Sequence, residues 1–259
     1  MGRIISERDG LLLTKVIIVA GLGGIDNGLA RRFADEGARL VVGDIDADQV
    51  QRVVTEIDPA GERIRGTHLD GTDEQSVASA VALAVDTFGR LDGMHVSFTN
   101  AADACLPGGV VELPIEAFDE VMRVNTRGFV IYAKHAIPVM VEGSGGSIVF
   151  TASIDAYNGA STRVSYAIRK AAELALMRHS TRRYGPKGIR CNAIAPGLIW
   201  HYKFDEQPMP DGVIEQARAR LLLGRWCDVP AVTAVSADAT PTSNGYRFPR
   251  DDRKARRAP

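Results

Sequence analysis

The sequence predicts an α/β fold in which a mostly parallel sheet carries helices on both of its faces. Short apolar runs rich in β-branched residues, such as residues 15–20 and 39–44, alternate with longer amphipathic segments such as residues 47–57. Strand-helix-strand units of this length need right-handed crossovers, which make the strands parallel. The alternation continues to about residue 194, and no shift in composition marks a linker. We therefore expect a single doubly wound domain over residues 1–259.

The remaining elements follow the same pattern. Further strands are predicted at residues 63–69, 94–98, 147–151 and 188–194, and a seventh strand matches residues 244–248 loosely. Helices are predicted at residues 28–36, 47–57, 73–88, 115–141, 164–184 and 213–223, the fourth with a break near Val124. Asp73 and Gly89 are typical first and last residues around a helix. A seven-stranded parallel sheet with helices on both faces corresponds to a Rossmann-type fold.

The composition is that of an ordinary soluble globular protein. Hydrophobic residues make up 45% of the chain, charged residues 24%, and the net charge is -1, so neither nucleic acid nor a membrane is expected as a partner. No apolar run has the length of a membrane span, and the first residues lack the apolar core of a secretory signal. The scattered cysteines and histidines predict neither a disulfide framework nor a metal site. We expect a cytoplasmic protein.

A glycine-rich turn follows the first predicted strand and precedes a helix. Its glycines include Gly21, Gly23 and Gly24, which would let the backbone approach a pyrophosphate at the helix amino terminus. Asp44 ends the second strand, where a carboxylate can accept hydrogen bonds from both ribose hydroxyls of an adenosine and repel a 2′-phosphate. Sharp turns also favour glycine for conformational reasons, and Asp44 could instead cap the next helix. Together the two features favour NAD over NADP as the cofactor.

A second group of polar residues follows the fifth predicted strand. Ser153 lies just beyond that strand, and Tyr166 and Lys170 are four residues apart in the next helix. This spacing places the phenol and the ammonium on one helix face. A free phenol has a pKa of about 10, and a nearby cation favours its ionised form. The alternative is an amphipathic surface pair with a serine that caps a turn.

From about residue 15 to about residue 248 the chain resembles the short-chain dehydrogenase/reductase family. The resemblance depends on the order and spacing of the glycine turn, Asp44, Ser153, Tyr166 and Lys170. Several further residues match in the same order, namely Asp70, Thr99 to Ala102, Asn125 and Pro196 with Gly197. Any one of these features is common by chance, but their joint order is specific.

The resemblance implies an oxidoreductase that transfers a hydride between NAD(H) and a secondary alcohol or ketone. Tyr166 would be the general acid or base, Lys170 would supply the cation and bind the nicotinamide ribose, and Ser153 would hydrogen-bond to the substrate oxygen. Asn125 would hold a water in a proton relay. The implied cofactor-binding residues are Gly21, Gly24, Ile25, Asp44, Asp70, Asn100, Ala101, Tyr166, Lys170, Pro196, Gly197 and Ile199. The resemblance also implies a homo-oligomer, either a tetramer or a dimer.

The glycine turn departs from the family pattern. It is one residue shorter than usual, Ala20 replaces the threonine, and Asp26 replaces the third glycine. A carboxylate there is expected to compete with a pyrophosphate for the helix amino terminus and to repel it. This departure, with an unusual carboxyl-terminal region, leaves open a nucleotide-binding sensor or scaffold protein with weak catalysis. A sugar-nucleotide epimerase is less favoured, because the chain is short for the extra substrate domain of those enzymes.

Residues 198–223 are predicted to form a substrate lid within the domain. The segment is rich in aromatic residues and prolines and lacks regular periodicity in its first part, and long loops of this kind are usually functional. Substrate contacts are expected from Asp155, Tyr157, Trp200 and His201, which favours a cyclic or aromatic alcohol or ketone. The charged tail at residues 250–259 is expected to be solvated and mobile.

Overall fold

A parallel sheet of six strands forms the centre of the protein. The computed structural model describes residues 10–97, 109–158, 163–200 and 227–228. The strands are β1 (Val16–Ala20), β2 (Arg39–Asp44), β3 (Ile64–His68), β4 (Gly93–Val96), β5 (Gly146–Thr151) and β6 (Ile189–Ile194). Their order across the sheet is β3-β2-β1-β4-β5-β6. The doubly wound, Rossmann-type fold class is therefore confirmed, whereas the expected seventh strand at residues 244–248 lies outside the described residues.

Within the described residues, six α-helices connect and cover these strands. They are α1 (Gly24–Asp35), α2 (Ala47–Ile57), α3 (Glu74–Phe88), α4 (Ile115–Val121), α5 (Arg127–Glu142) and α6 (Val164–Tyr184). The bounds of α2 and α6 agree with the prediction. Helix α1 begins four residues earlier than predicted, because the carbonyl of Gly23 accepts hydrogen bonds from the N–H groups of Asp26 and Asn27, both at 3.1 Å. Residues expected in the turn thus form the first turn of the helix.

The predicted break near Val124 is a change of helix type and not an interruption. Between α4 and α5 the chain forms a π-helical turn over Met122–Thr126, and the helix continues on both sides. Single π turns of this kind are frequent at functional sites, because the wider turn redirects one side chain. Asn125, one of the predicted site residues, lies in this turn.

Alternate residues of β1 enter two different apolar clusters. Val16 and Ile18 pack with residues of α3 and α5, whereas Ile17 and Val19 pack with residues of α1 and α2. A strand buried on both faces has no polar side, which explains its unbroken apolar sequence. The sheet is thereby fixed between two helical layers, and its carboxyl edge is left to carry polar residues.

The topology places a crevice at the carboxyl ends of β1 and β4. These two strands are neighbours, but the chain leaves β1 toward β2 on one side and reaches β5 and β6 on the other. Ligands of open α/β sheets bind at such a reversal of strand order. Beyond β6, β7 (Ile199–Trp200) pairs in parallel with β8 (Cys227–Asp228).

Most of the predicted lid, its short helix and the charged tail lie outside the described residues. In the ranges that the structure describes, no helix combines the length and the apolar character needed to cross a membrane.

Candidate active site

The glycine turn joins β1 to α1 through a strained backbone position. Gly21 has a φ of +97°, a backbone conformation that residues other than glycine rarely adopt. Its N–H donates to the carbonyl of Gly43 at 2.8 Å. Helix α1 then begins at Gly24. The first N–H groups of a helix have no partner within it, so those of Gly24 and Ile25 are available to an anion, which the helix dipole also favours. These residues are only half buried and can meet a ligand.

Asp44 fastens the turn to the second strand. One of its oxygens, Oδ2, accepts from the N–H of Leu22 at 2.7 Å, and Oδ1 accepts from the N–H of Asp46 at 3.0 Å. Each carboxylate oxygen has two lone pairs, so both can still accept from a ligand. The helix cap of α2 is Asp46, whose side chain accepts from the N–H of Gln49. Asp44 is therefore not the helix cap that the alternative interpretation supposed.

Asp70 occupies the loop after β3. Its Oδ1 accepts from the N–H of Thr72 at 2.8 Å, and this bond is the main reason why the pKa of Asp70 lies below its usual value. The carboxylate is partly exposed at the same edge of the sheet as Asp44, since β3 and β2 are adjacent and parallel.

Asp26 points into the protein and not toward the ligand side of the turn, contrary to expectation. It is 3% exposed, and its Oδ1 lies 3.9 Å from Nδ1 of His95 on β4. Burial raises the pKa of Asp26 well above its usual value, although a hydrogen bond with the Ser97 side chain opposes this shift. Burial therefore disfavours a negative charge on Asp26 near the helix amino terminus.

His95 extends this buried polar group toward the next strand. Its Nε2 lies 3.3 Å from Oγ1 of Thr151, the last residue of β5. Burial lowers the pKa of His95 to about 3. At their separation of 3.9 Å, Asp26 and His95 would form an ion pair if the imidazole were protonated. The directions of both pKa shifts instead favour a neutral acid beside a neutral ring.

Ser153 follows β5 and begins a short 3-10 helix, Ile154–Ala156. The side chain is 7% exposed, and its Oγ accepts from the N–H of Asp155 at 3.2 Å. The adjacent N–H of Ile154 donates to the carbonyl of Pro196 at 3.1 Å. The oxygen of Ser153 accepts in this turn, so its hydroxyl group can still donate to another acceptor. The residue lies beside the segment that follows β6.

Tyr166 lies in the first turn of α6 with cations on more than one side. The ring centroid is 5.0 Å from the guanidinium carbon of Arg163, 4.5 Å from that of Arg169 and 5.9 Å from Nζ of Lys170. The predicted shared face of Tyr166 and Lys170 is present. The two arginines were not anticipated, because arginines near a helix start are mostly surface residues.

Lys170 joins α6 to the end of β5. Its Nζ donates to the main-chain carbonyl of Thr151 and lies 3.0 Å from Oε1 and 3.2 Å from Oε2 of Glu173. Burial lowers the pKa of Lys170 to about 8, and the carboxylate of Glu173 opposes that shift. The lysine is thus a buried cation held by one strand and one neighbouring carboxylate.

Asn125 lies in the π turn and is fully buried. Its Nδ2 donates to the carbonyl of Val121 at 3.0 Å, and the π turn packs directly against α6. The wider turn therefore places an amide side chain next to the helix that bears Tyr166 and Lys170.

The predicted substrate residues are only partly described. Asp155 accepts from Nη2 of Arg163 at 2.7 Å, and Tyr157 is 69% exposed. Ile199 is buried in β7. Asn100, Ala101, His201 and the side chain of Trp200 lie outside the described residues. Within the described ranges, no group of His, Cys, Asp and Glu side chains is arranged to hold a metal ion.

Sequence reasoning missed Arg169 and Glu173, which surround Lys170. Their spacing of four residues is typical of an exposed ion pair on a helix, yet both side chains are 1% exposed. No local pattern in the sequence indicates their burial, which depends on the packing of this helix against β6, the π turn and α5.

Comparisons with known proteins agree with this fold. A family model described as enoyl-(acyl carrier protein) reductase matches residues 19–238. The chain is 34% identical over 212 residues to the 2,5-dichloro-2,5-cyclohexadiene-1,4-diol dehydrogenase LinX of Sphingobium indicum, which covers 82% of each chain. It is 39% identical over 182 residues to short-chain dehydrogenase reductase 5 of Arabidopsis thaliana, covering 70% of this chain and 68% of that protein.

A solved structure resembles the chain over most of its length. It is a 7α-hydroxysteroid dehydrogenase in complex with NADH and 7-oxo glycochenodeoxycholic acid. The TM-score is 0.80 at 29% identity, and the match covers 90% of each chain. With a family model that matches most of the sequence and relatives above 30% identity, the chain belongs to the short-chain dehydrogenase/reductase family of oxidoreductases.

Proposed function

We propose that this protein is an NAD(H)-dependent oxidoreductase that interconverts a secondary alcohol and its ketone. One observation carries the proposal. The bond from Lys170 to the carbonyl of Thr151 ties the helix that bears Tyr166 to the strand that leads to Ser153. We infer that a phenol, an ammonium and a serine hydroxyl would meet at the carboxyl edge of the sheet, where ligands of this fold class bind.

The residues at the glycine turn fit a dinucleotide. The turn at Gly21, with its positive φ, and the first amides of α1 would form an anion site. Asp26 is buried, and burial raises its pKa, which disfavours a competing carboxylate. We propose that Gly24 and Ile25 hold the pyrophosphate there. Asp44 would accept from the adenosine ribose, and its charge would disfavour a 2′-phosphate, so NAD is preferred over NADP.

The rest of the cofactor site is proposed from chain position. Asp70, at the edge next to Asp44, would meet the adenine. Pro196, Gly197 and Ile199 would pass beside the nicotinamide, as supported by the bond between Ile154 and Pro196 next to Ser153. Asn100 and Ala101 are proposed from the sequence alone. When bound, the nicotinamide would give or accept the hydride.

The protein side chains would handle the proton. Tyr166 would exchange a proton with the substrate oxygen, and the charge of Lys170 would stabilise negative charge that develops during this exchange. The hydroxyl of Ser153 would donate to the same substrate oxygen, because its lone pair already accepts from Asp155. Asn125, held in the π turn against α6, would position a water that connects the lysine to solvent.

The substrate class that we propose is a cyclic secondary alcohol or ketone. Support comes from two similar proteins whose names contain ring compounds, a chlorinated cyclohexadiene diol and an oxidised bile acid conjugate. Asp155 and Tyr157 near Ser153 would contribute to the pocket, together with Trp200 and His201. We also expect a homo-oligomer, for which the molar mass in solution is the measurement.

The test is a substrate panel followed through NADH absorbance, with Tyr166→Phe as the key variant. We expect oxidation of cyclic secondary alcohols by the protein and loss of turnover in Tyr166→Phe, with NADH binding retained. Tyr184→Phe is the matched control, since this tyrosine ends the same helix and packs on His179 at 6.4 Å. Full turnover in Tyr166→Phe would overturn the proposed mechanism, and exclusive reduction of an enoyl thioester would overturn the proposed reaction.

A further inference from the structure

Three charged residues of α6 form a buried cluster beside the proposed proton-handling site. The side chains of Arg169, Lys170 and Glu173 are 1%, 6% and 1% exposed. Charged residues this deeply buried are rare, because their desolvation is unfavourable unless they are paired. Glu173 is hydrogen-bonded to both cations, at 3.3 Å from Nη1 of Arg169 and 3.2 Å from Nζ of Lys170.

We propose that Glu173 is a positioning residue that keeps Lys170 protonated and fixes the direction of its ammonium group. The inference rests on the proposed function, in which that ammonium serves Tyr166 and the cofactor ribose. An ammonium has three N–H donors. One is directed to the carbonyl of Thr151 and a second to Glu173. These two hydrogen bonds fix the rotation about the last bond of the Lys170 side chain, and they therefore also fix the direction of the third N–H group.

The charge of Lys170 depends on a balance among the groups that face it. Burial disfavours its charged form, Glu173 favours that form, and Arg169 of the same helix repels it. Burial also raises the pKa of Glu173, and the positive charges of Lys170 and Arg169 oppose that shift and favour the carboxylate. Asp26 of α1 also favours the charged form of Lys170, with a smaller effect than Glu173. Burial lowers the pKa of His95 of β4 and disfavours a second positive charge there.

Two aromatic rings complete the surroundings of the ammonium. From α5, the Phe129 ring centroid lies 5.6 Å from Nζ, and the Tyr166 ring centroid lies 5.9 Å from it. Such contacts attract a cation weakly compared with a carboxylate at 3.0 Å. Glu173 is therefore the main group on these elements that retains the proton on Lys170.

The sign of the effect follows from this balance. The pKa of Lys170 is about 8, so the ammonium is present below that pH and is lost above it. Removal of the Glu173 charge lowers the pKa of Lys170, so the ammonium loses its proton at lower pH. Removal of the Arg169 charge raises the pKa of Lys170, so the ammonium loses its proton at higher pH. A residue with a purely structural role would change affinity or stability without this pair of opposite shifts.

The experiment measures NADH affinity by fluorescence as a function of pH, with circular dichroism as a check of folding. In the unchanged protein, affinity should fall above about pH 8, as Lys170 loses its proton. In Glu173→Gln, which keeps the shape and loses the charge, the fall should begin at a pH lower by about one unit or more. Glu142→Gln is the matched control, an exposed glutamate at the end of α5 whose variant should keep the original profile.

The outcomes separate this inference from the proposed function. An unchanged pH profile in Glu173→Gln would overturn the inference, while the proposed function would stand if Tyr166→Phe loses turnover. Failure of the unchanged protein to bind NADH would overturn both. If Glu173→Gln does not fold, the same measurement is made on Arg169→Met. A fall in NADH affinity that begins at higher pH than in the unchanged protein supports the inference. A fall that begins at the same or a lower pH overturns it.

Discussion

The Oδ1 atom of Asp26 lies 3.9 Å from Nδ1 of His95, and neither atom has a hydrogen-bond partner within the described part of the chain. The two side chains connect the first turn of α1 to the strand that neighbours β1. Unsatisfied polar atoms in an interior are costly. The protein therefore has a buried pair of polar side chains between the first turn of α1 and β4, and burial disfavours the charged form of each.

Acid should destabilise the protein through His95. The unfolded side chain takes up a proton below about pH 6.5, whereas the native pKa is about 3. Below the unfolded pKa, the unfolded state binds more protons, so the free energy of unfolding falls as the pH falls. From about pH 7.5 to about pH 5 the expected loss is about 2 kcal/mol.

The variant His95→Gln should show a smaller loss over the same pH interval, as measured by urea unfolding. Asp26 contributes to the pH dependence with the opposite sign, because its raised pKa stabilises the native state as the pH falls. This contribution is present in both proteins and does not affect the comparison. His179→Gln, at an exposed position of α6, should keep the original pH dependence. Equal slopes in His95→Gln and the unchanged protein would contradict a buried neutral imidazole.

Replacement of Asp26 by Asn should change the affinity for NADH by less than about threefold at neutral pH. The acid is buried and favoured in its neutral form, so the amide removes no negative charge from the helix amino terminus. Isothermal titration calorimetry provides the measurement, with Asp48→Asn, exposed in α2, as the control. Binding that becomes tighter by about tenfold or more would mean that a charged carboxylate opposes the cofactor.

Replacement of Asp44 by Asn should weaken the preference for NAD over NADP. The amide oxygen can keep one of the two main-chain bonds, to Leu22 or to Asp46, but the charge that disfavours a 2′-phosphate is lost. We expect the ratio of the two affinities to fall by about tenfold, because charge-assisted hydrogen bonds contribute about 1.5–3 kcal/mol. Titration with both cofactors gives the ratio. Asp46→Asn, which keeps a good helix cap, should leave it unchanged.

Replacement of Ser153 by Ala should lower kcat by about a hundredfold, since a lost donor to a developing oxyanion has an effect of this size. The free energy of unfolding should fall by only about 1 kcal/mol, as for a lost cap, because the N–H of Asp155 loses its acceptor. Steady-state kinetics and thermal unfolding measure the two effects. Ser153→Thr keeps the hydroxyl and should recover much of the activity. A kcat within about threefold of the original in Ser153→Ala would exclude the serine from the reaction.

The helices that could be predicted best have local signals at both ends. Helix α2 begins after Asp46, a favourable cap, and its apolar positions recur at helical spacing. Helix α1 was predicted four residues too short, because Gly24, Asp26 and Asn27 have the composition of a loop. Their helical conformation depends on the adjacent strand, which no local pattern records.

The parallel sheet, the glycine turn at its centre and the shared helix face of Tyr166 and Lys170 can be predicted from the sequence. These features depend on periodicity and short spacing, which local chain geometry dictates. The inward direction of Asp26 toward His95 and the burial of Glu173 against Lys170 are visible in the folded protein alone. Both outcomes depend on which elements pack together, because burial sets the charge and the direction of a polar side chain, and burial is created by residues far away in the chain.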